Sequence, residues 1–180
     1  MRVTRVPYAV DGWGVGELWL GDGHVVLAHE APTPQPPVAQ PPTPPRGATK
    51  PPSGTVSGKP ARERDAFVPD LVRRIHSFFA GEPVSFADVA LDLEWCTPFQ
   101  LAVATQLRAV PWGEVVSYGE LAERAGYPRA GRAAGTLCAT NKFFLFVPCH
   151  RVVASDGIGS YGDSGVSFKR RLLRLEGWAD

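Results

Sequence analysis

"SYGELAERAGYPRAGRAAGTLCATN", residues 117–141, predicts two short helices joined by a turn that contains glycine. Ser117 can cap the first helix because its side-chain oxygen can accept a hydrogen bond from an otherwise unpaired backbone N–H group, and Gly126 can end that helix. Two short helices joined in this way are typical of a helix-turn-helix. The second helix is rich in small residues, and its large polar members are Arg129 and Arg132. An ordinary pair of helices packed into a core, with solvated arginines, explains the local pattern equally well.

The segment that follows places a thiol beside an imidazole. "KFFLFVP", residues 142–148, is an apolar run that we expect to be extended, and Cys149 and His150 come directly after it. The thiolate is the nucleophilic form of cysteine, and a free cysteine is ionised only to a few per cent at neutral pH. Neighbours along an extended strand point to opposite faces, so the pair can cooperate only if the chain turns at Cys149 or a water bridges the two side chains. Pro148 favours such a turn.

His150 could act as a base toward the thiol if a carboxylate held its other ring nitrogen. Three acidic residues near the end of the chain are candidates for that carboxylate: Asp156, Asp163 and Glu176. A buried and inert thiol is the other interpretation of Cys149, since free cysteines are commonly buried. The neighbouring residues favour chemistry over that interpretation.

Composition limits the remaining possibilities. The chain has 180 residues, 44% of them hydrophobic, and it contains no run of about 18 apolar residues that could cross a membrane. Its first residues lack the pattern of a signal peptide, so we expect an intracellular protein with no membrane partner. Cys96, Cys138 and Cys149 are odd in number and widely spaced, which argues against a disulfide framework and a four-ligand zinc site. Residues 101–180 carry ten Lys and Arg against seven Asp and Glu, an excess too small to indicate nucleic-acid binding by itself.

The first half of the chain predicts a small sheet followed by a helix. Residues 3–30 contain short apolar runs separated by "DGWG" and "GDG", which is typical of hairpins. Residues 31–60 hold 11 of the 18 prolines, so we expect a mobile, partly polyproline-II insertion. A helix should begin at Asp65 and end at "GEP", residues 81–83.

Two more helices are expected on either side of the central motif. Thr97 followed by Pro98 is typical of a helix start, and this helix should end before Pro111. "SFKRRLLRLEGW", residues 167–178, predicts a last helix whose arginines face solvent and whose leucines face the core. Those leucines are Leu172, Leu173 and Leu175.

In this order and spacing, the segments resemble the C-terminal domain of the O6-alkylguanine-DNA alkyltransferases, also called methylated-DNA–protein-cysteine methyltransferases. The resemblance covers residues 98–178, and residues 1–95 resemble the family only in outline. The segments that carry it are "PFQLAVATQLRAVPWGEVVSYGELAERAG", "RAAG", "PCHRVV", "GSYG" and "KRRLLRLEG". The implied fold is α/β: a small, ribonuclease-H-like α/β domain at residues 1–95, with the insertion at about 31–60, and a mainly α domain at residues 96–180 with the helix-turn-helix and the active-site cysteine.

The resemblance implies direct DNA repair by a single-turnover methyltransferase. A methyl or other alkyl group would move irreversibly from O6-alkylguanine in double-stranded DNA to Cys149, after the damaged nucleotide is flipped out. O4-alkylthymine would be a second substrate. No cofactor and no metal are expected, and the protein would be a cytoplasmic monomer that joins the nucleoid when it binds DNA.

The resemblance also implies roles for individual residues. His150, through a water, and Glu176 would lower the thiol pKa, Asn141 would brace the turn before the cysteine, and Tyr118 would hydrogen-bond the lesion and crowd the DNA backbone. Arg132 would enter the base stack in place of the flipped base. Other DNA contacts would come from Arg124, Arg129, Lys142 and Arg151. The base pocket would include the backbone of Val152, Tyr161, Gly162 and Cys138.

Three alternatives remain at this point. A lesion sensor would bind the damaged base, transfer nothing and recruit another pathway, but such relatives replace the acceptor cysteine. A cysteine hydrolase would need a nucleophile and a base that are seldom sequence neighbours. A DNA-binding regulator that uses residues 117–140 alone would leave "PCHRVV" unexplained. Cys138 is either a second thiol of the pocket or a packing residue.

Overall fold

The computed structural model describes residues 1–34 and 61–179, with side chains described from residue 66 onward in the second range. Most of the proline-rich segment, residues 35–60, lies outside the described residues. Three strands and one helix come first: β1 (Val3–Val10), β2 (Gly14–Gly21), β3 (Val25–Thr33) and α1 (Ala61–Phe79). The remaining elements are α2 (Pro98–Arg108), β4 (Val116–Ser117), α3 (Tyr118–Arg124), α4 (Gly131–Ala139), β5 (Val152–Val153) and α5 (Gly165–Leu175).

The first three strands form an antiparallel sheet in the order β1-β2-β3, as the hairpin punctuation predicts. Gly12 and Gly23 have positive φ values of 72° and 79° at the two turns, a conformation that glycine adopts without strain. β3 continues to Thr33, so residues 31–33 belong to the sheet. The insertion therefore does not start at residue 31, where we expected it to start. With the helical part that follows, this sheet confirms the α/β fold class.

The central stretch folds into the two helices that its sequence predicts. Ser117 caps α3 by accepting a hydrogen bond from the backbone N–H of Glu120 at 3.1 Å, and Gly126 follows the helix with a φ of 86°. The helices touch closely: a Cβ atom added to Gly131 of α4 would lie 3.3 Å from the backbone of Gly119 in α3. The small residues of α4 therefore serve, in part, the contact between α3 and α4.

Two of the other helix predictions hold and one needs correction. Thr97 caps α2 through a reciprocal pair of hydrogen bonds with Gln100, and Pro98 is the first residue of that helix. In α5, Leu172 and Leu173 are fully buried but Leu175 is only half-buried. α1 begins at Ala61 rather than Asp65.

The apolar run before Cys149 is not extended, so that prediction was wrong. Residues 143–147 form tight turns in which the N–H of Val147 donates to the carbonyl of Phe143 at 2.9 Å. Leu145 has a φ of 65°, in the left-handed region that a leucine seldom adopts. All five residues are buried, which explains why an apolar run can form turns instead of a strand. After Cys149 the chain returns to a strand in β5, which pairs in parallel with β4.

One core joins the N-terminal sheet and α1 to the C-terminal helices. β3 contacts the turns of residues 143–147, since the N–H of Phe144 donates to the carbonyl of His29 at 3.2 Å. On another side, the guanidinium of Arg171 in α5 lies 3.5 Å from the centre of the Trp13 ring. Among the helices of the described residues, none is long and apolar enough to cross a bilayer.

Candidate active site

Cys149 lies in a turn, which meets the condition for its cooperation with His150. Residues Cys149–Arg151 form a single turn of 3-10 helix in which the N–H of Arg151 donates to the carbonyl of Pro148 at 2.9 Å. Cys149 is one of the residues that line a surface cleft, while His150 has no exposed surface at all. The turn thus places the thiol at the cleft and the imidazole in the core behind it.

His150 is hydrogen-bonded to the buried carboxylate of Glu176, which also accepts from Arg151. Its Nε2 lies 2.7 Å from Oε1 of Glu176, the first residue after α5. The guanidinium of Arg151 donates to the same carboxylate at 2.9–3.2 Å and to the carbonyl of Val110 at 2.7 Å. Of the three candidate carboxylates, the structure therefore selects Glu176.

The hydrogen-bond partners and the burial of Glu176 and His150 determine their protonation states. Burial alone would raise the pKa of Glu176, but the hydrogen bonds from His150 and Arg151 outweigh it and lower that pKa to about 2. Burial lowers the pKa of His150, and the Glu176 carboxylate opposes that change only in part. A neutral His150 then donates its Nε2–H to Glu176, which leaves Nδ1 as an acceptor. In the described part of the chain, Nδ1 has no hydrogen-bond partner although it is buried.

Cys149 is 7% exposed, and its thiol has two hydrogen-bonding neighbours. The side-chain amide of Asn141 donates to its Sγ at 3.2 Å, and the Tyr161 hydroxyl lies 3.8 Å away. Burial raises the pKa of Cys149, and these two contacts and the charge of Lys169 lower it only in part. The resemblance implied a lowered thiol pKa; in this cleft the direction is the opposite, because burial is the largest effect.

Lys169 is a residue that the sequence analysis missed. Its side chain is fully buried within α5, and its ammonium donates to three backbone carbonyls, those of Val152 at 2.5 Å, Ile158 at 2.6 Å and Ser160 at 3.3 Å. These bonds fix the glycine-containing loop of residues 157–162 against β5. The signal was present in the spacing, since Lys169 lies three and four residues before Leu172 and Leu173 and so shares their inward face.

The cleft is open to solvent and narrow: its inner volume is about 20 Å³, and about 250 Å³ is reached only when the open space at its mouth is counted. Three of the expected pocket residues, Cys138, Tyr161 and Gly162, line it together with Cys149. Val152 does not line it: its side chain is fully buried and its carbonyl accepts from Lys169. The complete lining consists of Tyr118, Gly135, Cys138, Ala139, Cys149, Ser160, Tyr161 and Gly162.

Tyr118, the first residue of α3, lies at the wall of the cleft between two glycines. Cβ atoms added to Gly135 and Gly159 would lie 3.7 Å and 3.6 Å from its ring. Burial raises the pKa of its hydroxyl, and the nearby thiols of Cys138 and Cys149 raise it further. This hydroxyl therefore remains a proton donor at neutral pH.

Among the residues expected to contact DNA, three arginines are exposed and Arg151 is buried. Arg124, Arg129 and Arg132 are exposed on and between α3 and α4, although Arg124 also pairs with Glu120 at 2.6 Å. The ammonium of Lys142 lies 5.7 Å from the Trp95 ring. The phosphate contact expected of Arg151 was wrong, because its side chain is buried on Glu176 and Val110.

Comparison with known proteins gives consistent matches. The family model for the DNA-binding domain of 6-O-methylguanine DNA methyltransferase matches residues 98–178. The methylated-DNA–protein-cysteine methyltransferase of Metallosphaera sedula is 39% identical over 115 residues, which are 64% of this chain and 70% of that protein. The Mycobacterium tuberculosis protein of the same name is 44% identical over 106 residues, 58% of this chain and 62% of that protein. The crystal structure of Mycobacterium tuberculosis OGT in complex with DNA has a TM-score of 0.69 at 30% identity and covers 96% of this chain and 91% of that one.

Proposed function

Because the chain belongs to the methylated-DNA–protein-cysteine methyltransferases, it repairs DNA by alkyl transfer, and we propose that Cys149 is the acceptor. The observation that carries this proposal is the position of the thiol: Cys149 lines an open cleft, and its sequence neighbour His150 is buried on Glu176. The substrate is an alkyl group on O6 of guanine in double-stranded DNA. By the same displacement we also propose transfer from O4-alkylthymine.

The substrate base has to leave the helix before it can reach the cleft. An alkyl group on O6 is covered by the base stack, and extrusion of the nucleotide costs a few kcal/mol, less for a base that pairs poorly. Arg132 is exposed at the start of α4, where its side chain can fill the gap in the stack. Arg124, Arg129 and Lys142 are then candidate phosphate contacts.

The chemical step is an in-line displacement at the alkyl carbon. A bond forms between that carbon and Sγ of Cys149 while the bond from the carbon to guanine O6 breaks. The thiol proton passes through a water to Nδ1 of His150, whose other nitrogen stays on Glu176. The electron pair of the broken bond goes to guanine O6, and the Tyr118 hydroxyl donates a hydrogen bond to the base as this negative charge develops. The leaving guanine then takes a proton from water, and His150 returns its proton to water, so that neutral guanine is restored. Asn141, which donates to Sγ, stabilises the thiolate that forms in this step.

The product is a thioether, which neither water nor a neighbouring base readily cleaves. Each chain would therefore act once, and none of these steps needs a cofactor or a metal. We further propose that the protein acts as a cytoplasmic monomer, with residues 1–95 and 96–180 as its two domains.

The sensor alternative is not supported, because the matched curated relatives are named as cysteine methyltransferases and this chain keeps the acceptor thiol. A hydrolase would turn over repeatedly, which separates it from a stoichiometric acceptor. A fixed amount of protein should be titrated with increasing amounts of duplex that carries a single O6-methylguanine. Repair should stop at one lesion per chain, and Cys149→Ser should repair none. Repair that continues beyond one lesion per chain would contradict the proposal.

A further inference from the structure

The buried imidazole of His29 connects the N-terminal sheet to the turns that precede Cys149. His29 is 2% exposed, and its Nε2 lies 2.6 Å from the hydroxyl of Tyr8 on the edge strand β1. Its Nδ1 is hydrogen-bonded to the carbonyl oxygen of Phe144. The backbone adds two more bonds: the N–H of His29 donates to the carbonyl of Lys142 at 2.7 Å, and the N–H of Phe144 donates to the carbonyl of His29 at 3.2 Å.

The environment of His29 fixes which nitrogen carries the proton. Burial lowers the pKa of His29 to about 3, so the ring is neutral and has one donor and one acceptor. The Phe144 carbonyl can only accept, so Nδ1–H donates to it. Nε2 then accepts from Tyr8, whose pKa is raised by burial so that its hydroxyl keeps its proton. The chain of bonds therefore has one direction, from the Tyr8 hydroxyl through His29 to the carbonyl of Phe144.

Phe144 lies in the same short segment as the groups that hold the thiol. The N–H of Phe143 donates to Oδ1 of Asn141 at 3.0 Å. The amide of Asn141 in turn donates to the carbonyl of Val147 at 2.8 Å and to Sγ of Cys149 at 3.2 Å. The segment also contains Leu145 in a left-handed conformation, which persists only where the surroundings hold it in place.

We propose that His29 is a positioning residue for the acceptor thiol, acting through Phe144 and the 142–147 segment on Asn141 and Cys149. The proposal rests on the acceptor role proposed above for Cys149. The hydrogen bond to Phe144 is the operative contact, because it is a side-chain bond that joins the sheet to this segment. Loss of that bond should loosen the Asn141 amide on Sγ, which should slow alkylation and shift its pH profile to higher pH.

Two substitutions at His29 separate positioning from packing. His29→Leu fills the site without a donor, and we expect the rate of thiol alkylation to fall about tenfold at neutral pH. His29→Asn keeps an amide donor near the position of Nδ1, and we expect it to retain the rate within about twofold. Tyr8→Phe removes only the bond to Nε2 and should slow the reaction by about two- to threefold. Val26→Ala, a buried position of β3 that pairs with Leu91, serves as the control for general destabilisation and should leave the rate unchanged.

The test measures alkylation of Cys149 by iodoacetamide across pH, per folded molecule, alongside methyl uptake from methylated duplex. A slower Leu variant with a shifted pH profile, rescued in the Asn variant, supports the proposal. Equal losses in the Leu and Asn variants, or a normal pH profile in the Leu variant, would overturn it. Tyr8→Phe provides a second measurement should the Leu variant not fold, and an unchanged rate and pH profile there would also overturn it. Failure of the acceptor role is distinguishable, because wild-type protein would then react with iodoacetamide but take no methyl group from DNA.

Discussion

Residues 98–178 and the preceding part of the chain differ in what they contribute to the site. Every side chain that lines the cleft comes from the C-terminal part, as does the buried chain of His150, Glu176 and Arg151. The preceding part lies behind these groups: the ring of Phe78 packs edge-on against His150, with centroids 6.0 Å apart, and His29 holds the carbonyl of Phe144. Reactive groups are thus concentrated in a short stretch of sequence, whereas their support comes from residues that are distant in sequence.

We expect the largest effect on stability at Glu176, which belongs to the buried charges of the C-terminal part. The pKa of Glu176 is about 2 in the folded protein against 4.5 ordinarily. A lowered pKa stabilises the fold above pH 4.5, and this stabilisation is lost as the pH falls toward 2. At neutral pH, Glu176→Gln should lower the free energy of unfolding by about 3 kcal/mol.

The check is chemical denaturation of wild-type and variant protein at several pH values. The difference between them should shrink steadily as the pH falls from 4.5 to 2. A difference that stays constant over this range would mean that the carboxylate is not held by His150 and Arg151 as the structure shows.

The exposed Arg132 allows a test of how the C-terminal part acts on duplex DNA. Arg132→Ala should slow repair of a methylated duplex about 30-fold, since a side chain that fills the gap left by the flipped base offsets about 2 kcal/mol of unstacking. Reaction with the free modified base, which needs no flipping, should change by less than about twofold. Arg129→Ala is the matched control: if Arg129 contacts a phosphate, as proposed, its loss should weaken duplex binding modestly and reduce the salt dependence. Equal losses of the Arg132 variant on duplex and free base would refute the insertion role.

A smaller effect is expected at Lys169, the buried cation beside the cleft. Its charge lowers the pKa of Cys149 against the effect of burial. Lys169→Met should therefore move the pH profile of iodoacetamide labelling to higher pH and slow labelling at neutral pH about fivefold. Arg174→Met changes an exposed cation of the same helix and should leave the profile unchanged. An identical pH profile in wild type and in the Lys169 variant would mean that Lys169 does not affect the pKa of the Cys149 thiol.

The same contrast explains what could be predicted from the sequence. The helix starts at Thr97 and Ser117 follow from local hydrogen bonds that the residues themselves can form, and both are present. The turns of residues 143–147 could not be predicted, because an apolar run fits a buried strand or buried turns equally well. The burial of Arg151 depends on Glu176, which is 25 residues away, and an arginine in a sequence looks solvent-exposed until such a partner is known.

The contact of His29 with Phe144 was missed for a related reason. A histidine in a strand gives no local sign that its partner is Phe144, 115 residues further along. Contacts of this kind arise from how the N-terminal sheet packs on the C-terminal helices, which neither periodicity nor spacing specifies. The different contributions of the two regions to the site could therefore be recognised only from the fold.

We propose above all that the thiol of Cys149, and not that of Cys138 in the same cleft, takes the alkyl group. The direct measurement is peptide mass spectrometry of the protein after reaction with a duplex that carries one O6-methylguanine. We predict one added methyl group, found only on the peptide that contains Cys149, with an equal amount of guanine restored in the DNA. A methyl group on Cys138, or restored guanine with no methylated peptide, would contradict the account.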